Sequence, residues 1–161
     1  MTSNLYETID VDTFLAYSDK DCYTLVRVNE CNVLPDTRKT KDLLGSVELT
    51  VNGKKIIDRQ YIDDILLLWI DLVNVVADLR EGKNTSSYYP DQPIRYWFCR
   101  SKGGRVIVGL ENGGNKFETS ANVEQLIEVL RLAGIMFFQK IEQISNQFYP
   151  RQLRQLNADG Y

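Results

Sequence analysis

The sequence predicts an α+β fold: a β-hairpin, a helix, a three-stranded antiparallel meander and a second helix, giving an antiparallel sheet covered by two helices. Three observations carry that expectation. Val47, Leu49 and Val51 alternate with polar residues, the period of a half-buried strand. Over 60–81 and again over 121–146 apolar residues recur at three- and four-residue steps, the period of an amphipathic helix. Asn52-Gly53, Gly103-Gly104 and Gly113-Gly114 sit between strand-like runs, where tight β-turns need a positive φ.

Taken in order, residues 1–20 show no readable period, only a small apolar cluster at Phe14, Leu15 and Tyr17. "CYTLVRV", 22–28, has strand composition, and 34–45 reads as a polar loop with basic Arg38, Lys39 and Lys41. Strands follow at 46–51 and 54–57 around Asn52-Gly53. The first helix takes Asp58 as its N-cap and Gly82 as its stop. Residues 82–93, with two prolines and two serines, read as loop. The meander occupies 94–119. The second helix is capped by Thr119, Ser120 or Asn122, with Gln125 placed for a contact to Asn122. Residues 1–148 are thus expected as one domain, and 149–161 as a polar C-terminal tail, disordered or a frayed turn.

Composition narrows the chemistry. Among 161 residues there is no histidine, which removes the commonest general acid-base and the commonest metal ligand. The glycine pairs lie between strands, not between a strand and a helix, so they do not form a phosphate-binding loop. Adjacent Asp63 and Asp64 would diverge by about 100° on a helix and make no paired carboxylate site. No catalytic residue, metal site or cofactor is therefore expected. The odd count of three cysteines, with no C-x-x-C, fits free thiols in a reducing, cytoplasmic setting, with a Cys22–Cys31 bridge the one alternative. The opening residues lack the pattern of a signal peptide, and no apolar run is long enough to span a membrane.

What remains is recognition. On a helical projection Asp63, Asp64, Asp71, Asn74 and Asp78 share the face opposite the expected core, with Leu67 in their midst. An apolar anchor within an acidic rim suits a basic protein partner. On the second helix Leu132, Ile135 and Met136 form a contiguous apolar patch on the otherwise polar arc. Either residues 1–20 cover it or another molecule does, a second copy of the chain included. The reading that follows is a non-enzymatic, cytoplasmic, bacterial interaction protein with an acidic surface, of the immunity-protein kind that inhibits a toxin. The alternative is binding of RNA or another single strand through Arg95, Trp97, Arg100, Lys102 and Arg105, where aromatic and basic residues interleave. The net charge of −3 weighs against it.

Overall fold

The computed structural model describes residues 6–38 and 40–158. Among these, nine strands make two antiparallel sheets and three helices pack against them. The first sheet contains β1 (Ile9–Asp19), β2 (Cys22–Arg27), β3 (Leu44–Val51) and β4 (Lys54–Ile57) in the order β2-β1-β3-β4. A two-residue strand, β5 (Asp63–Asp64), pairs with the start of β3 and leads into α1 (Ile65–Arg80). The second sheet is a plain meander of β6 (Thr85–Tyr88), β7 (Ile94–Ser101), β8 (Arg105–Asn112) and β9 (Asn115–Asn122). Two helices follow, α2 (Val123–Ser145) and α3 (Pro150–Asn157).

The fold class is as the sequence predicts, with the strands divided between two sheets. The Asn52-Gly53 turn has φ values of 49° and 81°, the left-handed pair that a tight hairpin requires. Gly82, at φ 76°, stops α1 as expected. Asn122 caps α2, its Oδ1 accepting the Gln125 N–H at 3.0 Å.

Several expectations need correction. Residues 9–19, unreadable in the sequence, form β1, paired on both sides by β2 and β3. The stretch 82–93 is not all loop, because β6 adds a fourth strand to the meander. Asp58 does not cap α1; its carboxylate accepts the Gln60 N–H in a preceding turn. Asp64 is the cap, accepting the Leu67 N–H at 3.0 Å, since pairing with Leu44 and Gly45 keeps 63–64 extended. The polar tail, expected as disordered or a frayed turn, contains the two-turn helix α3, which docks on α1 and α2. Its Leu156 is fully buried, and Arg80 donates to the Gln155 and Leu156 carbonyls.

The helices cover the inner faces of both sheets. Against the sheets, α1 contacts β3, β6 and β7, while α2 contacts β1 and β9. Trp69 of α1 is completely buried, stacked on Phe137 of α2 at 5.9 Å between ring centres. Its Nε1 donates to Thr13 Oγ1 at 3.1 Å. Gly134 lets this happen: a Cβ there would meet Trp69 Cζ3 at 3.0 Å and Leu156 Cδ1 at 2.8 Å. Leu68 and Val75, either side of the polar stripe of α1, are also buried. With sheet on one side and helices on the other, α1 has a wider apolar arc than a helix covering a single sheet.

Candidate partner-binding surfaces

Leu67 is where the projection puts it, on the outside of α1 with half its surface exposed (50%). The carboxylates expected around it divide into two groups. Asp63 is buried at 3% exposure and acts as an internal acceptor. It takes N–H groups from Asp64 and Asp91 and the Gln92 side-chain amide at 2.7–3.2 Å, tying the β6–β7 loop to the start of α1. Asp64 is largely buried as the N-cap. Neither offers a free charge in the way the projection suggested.

Asp71 lies one turn beyond Leu67 and is half-buried, 3.5 Å from Ser87 Oγ of β6. Burial pushes its carboxyl above the usual range. Asn74 is exposed. Asp78 sits near the other end of the helix, where its negative charge helps to raise the Lys83 amine behind the larger effect of Glu81.

Two carboxylates not readable in the sequence complete the acidic end. Burial raises the Asp64 carboxyl, and the charges of Asp42 and Asp91 raise it further. Both come from loops, Asp42 two residues before the β3–β5 pairing and Asp91 in the β6–β7 connection. Nothing in sequence spacing points to them, because only tertiary pairing brings these loops beside the start of α1. Among the described residues Asp42, Asp71 and Asp91 have no ion-pair partner. The positive end of the α1 dipole offsets part of this charge.

The outer face of the first sheet is the contrast. There Glu48 binds Arg59 at 2.8 Å and Lys55 at 3.4 Å, and Asp12 lies 3.8 Å from Arg27. The hydrogen bond from Arg59, with its charge and that of Lys55, holds the Glu48 carboxyl below its ordinary value against burial. Arg27 and Arg59 also lie over the Phe14 ring, at 5.7 and 4.6 Å from its centre. Charge is neutralised internally on that face and left open at the start of α1.

On α2, Leu132 is 52% exposed and Met136 50%, with Ile135 partly covered. They line an open groove of about 560 Å³ with Asn29, Gln139, Lys140 and Gln143. A smaller hollow of about 110 Å³ continues from Met136 and Asn29 towards Val11, Asp12 and Arg27. β1 packs on α2, yet its Phe14 and Leu15 leave the Leu132–Met136 stripe open.

The basic-aromatic stretch is differently arranged from the nucleic-acid reading. Trp97 lies across Gly109 and keeps only 7% exposure. Arg95 and Lys116 sit over its ring at 5.2 and 5.6 Å, and its Nε1 donates to Glu118 at 3.1 Å. Arg100 donates to the Leu79 carbonyl at the end of α1, and Arg105 pairs with Glu7 and with Ser120 Oγ. Arg95 and Lys102 remain exposed. A base has no open Trp97 face to stack on.

Among the described residues Cys22, Cys31 and Cys99 are all free thiols, so Cys22 and Cys31 are not bridged. No described helix is long and apolar enough to cross a membrane. No protein-family model matches this chain, and no curated protein or solved structure matches it either.

Proposed function

We propose that the protein is a non-enzymatic inhibitory binder of a basic protein, in the manner of a bacterial immunity protein neutralising a toxin in the cytoplasm. The observation that carries the reading is the half-exposed Leu67 in the first turn of α1, one turn before Asp71, at the helix end where the charges of Asp42 and Asp91 act on Asp64; Asp42, Asp71 and Asp91 have no ion-pair partner among the described residues. Like charges left together in one region repel, and a cationic partner relieves that repulsion while the apolar side chain supplies desolvated contact. Asn74 and Asp78 extend the surface along the helix. The free thiols and the absence of histidine support a binder working in a reducing compartment without acid-base chemistry of its own.

The test is inhibition. The protein, titrated into assays of cationic nucleases and of the product of the adjacent reading frame, should abolish one activity at stoichiometric amounts. The Asp42→Lys, Asp91→Lys double variant should fail to do so. Inhibition indifferent to those charges, or none by any cationic target, contradicts the reading.

The α2 groove supports a second contact, a homodimer through Leu132, Ile135 and Met136. Its rim of Asn29, Gln139 and Gln143 is neutral apart from Lys140, so it lacks the charge that would select a basic partner. Sedimentation equilibrium of the wild type and Met136→Lys tests it, with self-association expected in the first and lost in the second.

A further inference from the structure

The chain contains Asn-Gly twice, Asn52-Gly53 between β3 and β4 and Asn112-Gly113 between β8 and β9. This dipeptide is chemically labile because glycine lacks a Cβ and its backbone nitrogen can approach the preceding side-chain amide. The nitrogen bonds to the asparagine Cγ, the Cγ–Nδ2 bond breaks, and the peptide proton leaves with that nitrogen as ammonia. Water then opens the resulting succinimide at either carbonyl, leaving aspartate or isoaspartate. Only water is consumed.

The two sites are equivalent in sequence and different in structure. Asn52 is clasped by Thr8: its N–H donates to the Thr8 carbonyl at 2.7 Å, and its Oδ1 accepts the Thr8 N–H at 3.0 Å. Ring closure there requires the side chain to leave Thr8 and a residue already held at φ 49° to turn again. Asn112 is the last residue of β8, and among the described residues its side chain has no hydrogen-bond partner. The chain continues into Gly113 at φ 61° and then Gly114, and a Cβ added to either glycine would meet nothing within 4 Å. The Asn112 backbone is paired with Ile94 of β7 and Asn115 of β9, so the freedom at this turn lies in the unbonded Asn112 side chain and the open glycines.

We infer that Asn112 is a site of spontaneous deamidation in the folded protein, while the Thr8 clasp protects Asn52. Isoaspartate at 112 lengthens the main chain by a methylene where β8 turns into β9, and either product adds a carboxylate beside Glu111.

The experiment ages the wild-type protein at mildly alkaline pH, folded and in urea, and follows both sites by peptide mass mapping and isoaspartyl methyltransferase labelling. In urea the two sites should convert at comparable rates, as their shared dipeptide dictates. In the folded protein residue 112 should convert severalfold faster than residue 52, and Asn112→Gln should remove most of the isoaspartate signal. Position 52 keeping pace with 112 in the folded protein overturns the inference. So does resistance at both sites while the unfolded chain reacts.

Discussion

α1 and α2 each turn an apolar side chain outward, and the surroundings of the two differ. Leu67 shares its end of α1 with Asp64 and Asp71, and Asp42 and Asp91 act on Asp64 there; around Leu132 and Met136 lie amides, one lysine and a groove. The first surface is defined by charge and the second by shape. Long-range attraction sets how fast partners meet, whereas apolar area and fit set how long they stay. A face of the first kind is suited to capturing a foreign cationic protein quickly, and one of the second kind to holding a like surface. Their common support is α3, whose Leu156 fills the space beside Gly134 and Trp69 between the two helices.

The largest way to break the comparison is to remove that support. Leu156→Ala deletes a fully buried side chain and should cost about 2–5 kcal/mol. Thermal or urea unfolding measures it, and an unchanged midpoint would mean that α3 does not hold the helices together. Next in size is charge reversal. Asp42→Lys with Asp91→Lys should slow association with the basic partner by about tenfold or more at low salt, while Gln139→Lys with Gln143→Lys on α2 leaves the rate alone. Equal effects from the two pairs, in stopped-flow measurements, would erase the distinction between the faces. Leu67→Ala should act mainly on dissociation, by about 1–2 kcal/mol, with the melting temperature nearly unchanged. A fall of several degrees in melting temperature would show that Leu67 is internal.

The smallest effect sharpens the electrostatics. Burial raises the Asp71 carboxyl in the folded protein, so the native state holds its proton at higher pH than the unfolded chain does. That difference favours folding at low pH and fades as pH rises through the folded value. Asp71→Asn should therefore stabilise the protein modestly near neutrality, the gain vanishing in acid below the unfolded carboxyl range of about 3.9. Urea unfolding across that pH range gives the answer, and a gain that persists in acid would assign the effect to packing instead.

The legible parts of the fold were those governed by local rules. Asn52-Gly53 announced its turn, Asn122 its cap, and the three- and four-residue spacing its two helices, because each depends on residues close in sequence. β1 escaped notice since it is paired on both sides and its stretch 13–16 is buried without alternation. α3 was concealed by its glutamines and arginines; only Leu153, Leu156 and Tyr149 turn towards the core. The candidate site was half readable. Leu67 and Asp71 followed from helical projection, but the helix begins after Asp64, so Asp63 and Asp64 face inward where projection sent them out. Asp42 and Asp91 reach the site through loops, which no periodicity describes. The aromatic stretch is hidden for a related reason: the cover on Trp97 from Lys116 and Glu118 comes from β9, a strand two removed in the sheet.

Hydrogen exchange of the protein free and in complex with its basic partner tests the central claim most directly, because both helix faces are read in one experiment. The account predicts slowed exchange over 62–72 and 89–92, the start of α1 and the loop bearing Asp91, with 132–143 unchanged. Protection confined to 132–143, with the start of α1 exchanging as in the free protein, would contradict it.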